Sequence, residues 1–426
     1  MIKRKIAAGI FRVCDALVPG RRELWVFAGQ SGWRYADNSR YLFLHAVQQP
    51  DIEAVYFSTC PHERARIEAE VAAVAGAGRK VAGGAAAGRE KAASGRANIA
   101  AGRAVHPLSL RGLWLLLRAR VVFVTHGFGD VKWLRFGRRK VLVQLWHGIN
   151  LKRVGLLDHK FDARGAASLR QATSRRRARR LQREGARYSL ICASSQIDAY
   201  QSAACFGVPF DRMMVTGLAR NDYLVEKRSP QAEPVRGVLD GLGLAGAKVI
   251  LYAPTFRDQG QTRYFPFDDF DQDDLQGLLV AEGAWLLLRG HSNDAGALPV
   301  GGRVIAAGQD RFEDVQELLP FVDVLISDYS SLFMDYLLLD RPVIFLPYDL
   351  QEYSRERGLL YDYDLVTPGA KPDTYAAFRE DLLAALREPG RDAKQRQQVR
   401  QMFHAFQDGK ACERITQQIK ELVCLI

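Results

Sequence analysis

The sequence predicts an α/β protein built in two halves, and three observations lead there. Apolar, β-branched runs with the density of strands buried on both faces recur along the chain, alternating with helical or loop segments. They fall into two series: 24–28, 54–58, 121–125, 141–145, 190–193 and 213–216, then 249–253, 285–288, 322–327 and 343–346. Between the series lies 226–247, rich in Pro, Gly and charge, which reads as a linker dividing 1–225 from 248–426. With 426 residues and 48% hydrophobic composition, the chain has enough apolar surface for two cores. The cleft between two such halves is the default place for a site.

The N-terminal stretch MIKRKIAAGIFRVCDALVPG resembles a signal peptide at first, but Arg12 and Asp15 interrupt its apolar run and no small-residue cleavage site follows. Export is therefore not expected. Ile2, Ile6, Ile10, Val13 and Leu17 recur at helical spacing behind Lys3, Arg4 and Lys5, a pattern that fits a helix lying on an anionic membrane or one packed on the core. No apolar run reaches the roughly 18 residues that span a bilayer. Residues 76–103, dominated by Ala, Gly, Arg and Lys, lack the large apolar side chains of a core and read as a mobile excursion without chemistry.

A formal net charge of +12 favours an anionic partner: nucleic acid, a membrane surface or a phosphate-rich substrate. The run Arg170, Arg175, Arg176, Arg177, Arg179, Arg180, Arg183 and Arg187, offset by Glu184, has no interleaved aromatics before Tyr188, which disfavours nucleic acid. Attraction to lipid headgroups or a merely solvated helix accounts for it. Six scattered cysteines without a CxxC pair or His at metal spacing read as reduced thiols of the cytoplasm. The carboxylates Asp268, Asp269, Asp271, Asp273 and Asp274 read as a helix start rather than a metal site.

Chemistry concentrates where strands end. In LISDYSSLFMDYLLLDRPVIFLPYD (325–349) a strand runs into Asp328, Tyr329, Ser330 and Ser331, then a helical stretch, then a second strand. Helix capping and anion binding both fit that tetrad. In KVLVQLWHGINLK a strand ends at His147 and Gly148; imidazole titrates near neutrality and suits a general base. LLLRGHSND ends with Arg289 and His291, and VILYAPTFRD with Thr255 and Arg257. Four phosphate-compatible strand ends suit a diphosphate, whose oxygens they would hold while charge grows on a departing phosphate. No GxxxxGK[ST] loop is present, and no GxGxxG follows the first strand, which argues against P-loop and dinucleotide enzymes.

Seven segments in order resemble the CDP-glycerol glycerophosphotransferase family: WVFAGQSGWRYADNSRYLF (25–43), QLWHGINLK (144–152), GLARNDYL (217–224), ILYAPTFRD (250–258), LLLRGH (286–291), the stretch 322–353 around DYSS, and DGKACERI (408–415). The resemblance implies a GT-B-like fold, two Rossmann-like domains facing a central cleft, with the CDP-polyol donor on the C-terminal half and the acceptor entering from the N-terminal half. It implies His147 as general base and His291 as its catalytic companion on the donor phosphates. Arg257, Thr255, Arg289, Asp328, Ser330, Ser331 and the Arg220, Asn221, Asp222 triplet would serve the donor, and Gly148 and Lys152 the acceptor side. Neither metal nor resident cofactor is implied. The expected reaction is attack of an acceptor hydroxyl on the β-phosphorus of CDP-glycerol or CDP-ribitol, releasing CMP, at the inner face of the cell membrane. The acceptor would be a lipid-linked or polymeric saccharide. Ile149, Asn150, Ser292 and Cys412 depart from the family pattern beside these groups. Rival readings are a nucleotide-sugar glycosyltransferase of the same fold, and a non-enzymatic basic adaptor for membrane or nucleic acid.

Overall fold

The computed structural model of the protein describes residues 2–82, 103–132, 134, 136–137, 139–158, 168–226, 232–255, 257, 262–290 and 298–425. Two parallel sheets carry the fold. The first is formed by β1 (Arg21–Ala28), β2 (Glu53–Phe57), β3 (Ala104–Val105), β4 (Ala119–Val124), β5 (Val141–Gln144), β6 (Leu190–Ala193) and β7 (Met213–Val215), in the order β3-β2-β1-β4-β5-β6-β7. The second comprises β8 (Lys248–Tyr252), β9 (Ala284–Leu288), β10 (Val304–Ala306), β11 (Val324–Ser327) and β12 (Val343–Phe345), ordered β10-β9-β8-β11-β12. Every strand pair between named strands is parallel.

This is the expected GT-B-like arrangement. In each sheet the chain starts centrally, winds outward to one side, then returns to the other. The topological switch points lie between β1 and β4 and between β8 and β11, the crevices where doubly wound sheets bind ligands. The apolar runs place the strands because crossover connections bury both faces: all four residues of β11 are buried, as are those of β5.

One hydrophobic cluster runs through both halves, from Phe27 and Phe123 through Leu325 and Phe345 to Ile415 and Ile419 of the last helix, Ala411–Leu425. That helix packs back on the helix Asp37–Val47, and Asp222 caps it by accepting from Ala411 N at 2.8 Å and Cys412 N at 2.7 Å. Polar contacts reinforce the join. Arg40, 2% exposed, reaches Glu70 at 2.8 Å in its own half and Asp314 and Glu317 of the other half at 3.3 and 2.6 Å. Arg153 N donates to Gly358 O and Leu360 N to Leu151 O.

Residues 83–102 and 227–231 lie outside the described residues, so most of the excursion and the start of the linker stretch do too. The helix Pro61–Ala82 enters the former. Ala232–Gly241, within the latter, is a helix whose Val235 and Leu239 join the core. The carboxylate run starts a helix as expected: Asp271 accepts from Asp273 N and Asp274 N. The N-terminal helix Ile2–Leu17 packs on the core through Phe11 and Asp15 and exposes Ile10, Val13 and Leu17. The arginine run from Arg170 to Arg183 lies in the helix Ser168–Gly185, with Arg187 just beyond it. Arg175, Arg176, Arg177, Arg179, Arg180 and Arg183 are exposed on it, while Glu184 turns to Phe128 N and Tyr188 Oη.

Candidate functional site

His147 follows β5 on a tightly held turn. Trip points in the backbone flank it: Trp146 has φ 57° and Gly148 φ 142°, conformations costly for most side chains. Asn38 holds the turn through Leu145 O and Trp146 O at 3.1 and 3.0 Å. The imidazole lies against Trp146, with centroids 4.0 Å apart, and stacks on His126 at 4.3 Å. Burial drives its pKa down, His126 and Arg220 adding to the effect and Asp37 opposing it, to about 4. It is therefore neutral at pH 7. Nδ1 lies 3.5 Å from Thr125 O, and a proton directed there leaves the Nε2 lone pair basic.

Beneath this turn sits Arg220, whose guanidinium joins the halves. It donates to Asp37 at 3.0 Å and His147 O at 2.8 Å on one side, and to Asp335 on the other. Burial alone would lower its pKa, but Asp335 and Asp37 more than offset that and raise it. Asp37 is likewise pushed up by burial and, on balance, held below the usual carboxylate range by Arg220 and His147. Gly148 lies at the same junction, where a Cβ would stand 2.8 Å from Arg220 Nη2 and 3.4 Å from Ser331 Oγ. The His-Gly pair of one half thus abuts the DYSS segment of the other.

At the second switch point Asp328 is buried. One oxygen accepts from Thr255 N at 2.8 Å and Tyr329 N at 2.5 Å, the other from Arg257 at 2.9 Å. Arg257 also grips Asp349 with Nε and Nη2 at 2.7 and 3.0 Å, and lies over the rings of Tyr329, Tyr348 and Tyr353. Asp328 and Arg257, both expected on the donor's side, thus form a staple with Asp349. Ser330 Oγ accepts from Leu332 N at 3.3 Å, just before a helix of only five residues, Leu332–Tyr336, whose N-cap is Ser331. Thr255 Oγ1 is buried without a hydrogen-bond partner among the described residues.

The remaining expected groups divide. Lys152 stands 5.9 Å over the Tyr353 ring and bridges to Leu359, joining the segment after the His147 turn to the DYSS half. Arg289 Nη1 donates to Ala307 O and Phe312 O, and burial lowers its pKa to about 10. Asn221 accepts from Gln316 at 3.1 Å. Asp222 caps the last helix. His291 falls outside the described residues. Ile149 is core and Asn150 accepts from the Trp146 indole at 2.9 Å, so these departures from the family pattern support the turn. Sequence reasoning missed Asp37, His126, Asp335 and Asp349. Asp37 had a signal: it stands in the ADNSRYLF segment, directly before a helix.

The model of the CDP-Glycerol:Poly(glycerophosphate) glycerophosphotransferase family matches residues 11–421. A teichoic acid poly(ribitol-phosphate) polymerase of Bacillus spizizenii is 29% identical over 311 residues, 71% of this chain and 46% of that protein. A teichoic acid glycerol-phosphate transferase of Staphylococcus aureus is 30% identical over 295 residues, 67% of this chain and 73% of that protein. The chain thus spans less than half of the first relative's length. Among solved structures, the wall teichoic acid polymerase TagF superposes with a TM-score of 0.74 over 98% of this chain and 93% of that chain at 21% identity, a likeness of fold. With the match running through both sheets and every strand end described above, the chain belongs to the CDP-glycerol:poly(glycerophosphate) glycerophosphotransferase family.

Proposed function

We propose that this protein transfers a polyol phosphate, glycerol phosphate or ribitol phosphate, from a CDP-polyol to a hydroxyl of a lipid-linked saccharide or a growing teichoic-acid-type polymer. The observation that carries the reading is His147: an imidazole kept neutral at pH 7, at a strand end, its neighbour Gly148 against Ser331 of the opposite half. His147 accepts the proton of the attacking hydroxyl, the hydroxyl oxygen bonds to the β-phosphorus, and the bond to the bridging oxygen breaks to release CMP. Thr255 Oγ1 and Ser331 serve the donor's side, where the Asp328–Arg257–Asp349 staple holds their loops, and Gly148 and Lys152 serve the acceptor's. Positioning and electrostatics supply the catalysis, and the reading requires no resident cofactor.

The test is CMP release on incubation with CDP-glycerol, CDP-ribitol and nucleotide sugars, with and without EDTA. The expected result is CMP from a CDP-polyol, unchanged by the chelator. UDP or GDP release from nucleotide sugars instead overturns the reading in favour of glycosyl transfer.

The same reading places the protein on an anionic membrane, where a lipid-linked acceptor resides. No helix among the described residues is long and apolar enough to cross a membrane. Support comes from Ile10, Val13 and Leu17, exposed on the N-terminal helix, and from the neighbouring helix Leu110–Arg118, which exposes Leu110 and Trp114. Apolar side chains on the same two helices as the exposed Arg12 and Arg111 match an interfacial helix pair. In flotation, vesicles containing anionic lipid are expected to carry the protein and salt to release it. Binding indifferent to both lipid charge and salt counts against this placement.

A further inference from the structure

The first switch point, between β1 and β4, carries groups that the transfer chemistry above leaves unused. The β1 loop and the β4 loop are locked together by Asp130, which is fully buried: it accepts from Ser31 N at 2.6 Å and from Thr125 N and His126 N at 2.8 Å each. Gln30 N donates to Thr125 Oγ1, which is 2.9 Å from His126 Nδ1. Gly29 permits the approach, since a Cβ there would come within 2.6 Å of Ser39 Oγ. Gln30, Ser31 and Lys132 all hold positive φ, so the chain accepts backbone strain to shape this rim.

Three side chains stand on it. Trp33 is 63% exposed, a large ring left in solvent where packing would bury it. Lys132 Nζ lies 5.6 Å from the Trp33 ring centroid and is anchored to Ser31 O at 2.5 Å. His126 is exposed and stacked on His147, so whatever touches it lies beside the base.

We infer that Trp33, Lys132 and His126 form an acceptor subsite for a glycosyl phosphate, the pyranose ring stacking on the indole and the phosphate oxygens engaging the ammonium and the imidazole. The inference rests on the proposed transfer reaction and assigns its acceptor. An indole offers a flat apolar face to the C–H side of a sugar, and an ammonium beside it strengthens hydrogen bonds to an anion. The phosphate has two sources: the diphosphate that joins a saccharide to its lipid, or a phosphodiester of the polymer. A sugar is present only where the saccharide is.

The experiment measures KM for two acceptors, a disaccharide joined to a short lipid by a diphosphate and a glycerol phosphate oligomer without sugar, each with saturating CDP-polyol. Trp33→Ala is expected to raise KM about tenfold for the saccharide acceptor and to leave the oligomer within twofold, with Trp33→Phe restoring most of the loss. Lys132→Ala is expected to raise KM for both, and KM for the CDP-polyol is expected to stay within twofold in every variant. Equal KM values for the wild type and Trp33→Ala on the saccharide acceptor, or Lys132→Ala without effect on either, overturn the subsite while the transfer reading stands. A wild type that releases no CMP from any CDP-polyol ends both. Trp33 and Lys132 lie at the surface, so thermal unfolding of the variants checks that a change in KM is not a loss of fold.

Discussion

Replacing His147 with alanine is expected to lower kcat by roughly 10²–10⁴-fold, the usual contribution of a positioned general base. Binding of the CDP-polyol, measured by calorimetry, is expected to persist, because the contacts assigned to the donor come from other strand ends. A variant with nearly wild-type turnover overturns the role. The pH profile adds a sharper check. Burial first, then His126 and Arg220, depress the imidazole to about 4 against the partial opposition of Asp37. A base with a lowered pKa is active above that value and lost by protonation below it. The acid limb of kcat/KM, which reports the free enzyme, is therefore expected near pH 4, well below the value of about 6.5 for a solvated imidazole. A limb at 6 to 7 belongs to some other group, and Asp37→Asn moving the limb lower still ties it to His147.

Arg220→Ala is expected to produce the largest loss of stability of any single change near the site. It removes the cation shared by the part-buried Asp37 and the fully buried Asp335, leaving the latter without its counter-charge at a cost of about 3–5 kcal/mol. It also frees the His147 carbonyl, so activity falls with stability. The sign of the pH dependence follows from Asp37. With Arg220 present its carboxyl is held low, so the ion pair contributes above the unfolded carboxylate pKa and is lost as pH falls through the folded value. Without Arg220 burial dominates, the carboxyl takes a proton at higher pH, and the penalty is relieved. The gap in melting temperature between variant and wild type is therefore expected to narrow from pH 7.5 to pH 5. A gap that widens in acid contradicts the pairing.

The strands were legible in the sequence because parallel sheets bury both faces and leave apolar runs. The two missed, Ala104–Val105 and Val304–Ala306, are sheet-edge strands too short to form one. The helix Ala232–Gly241 was hidden by Pro234 and its glycines, which resemble a loop. In a first helical turn, however, proline gives up an N–H that has no intrahelical partner. His147, Gly148 and Ser331 stood out because each directly follows a strand. Their partners did not, because pairing across the fold leaves no local pattern: Arg220 meets Asp37 from 183 residues away and Asp335 from 115. Arg257 illustrates the limit most clearly. Its position at a strand end suggests a phosphate ligand, while its partners Asp328 and Asp349 lie 71 and 92 residues away and leave no local pattern.

The buried Arg40, set among Glu70, Asp314 and Glu317, has a consequence for how the halves align. Charges taken from water return to it at little net cost, so such a cluster glues weakly yet fits in only one way. It behaves as a locating pin, fixing the one alignment of the halves in which Gly148 stands against Ser331.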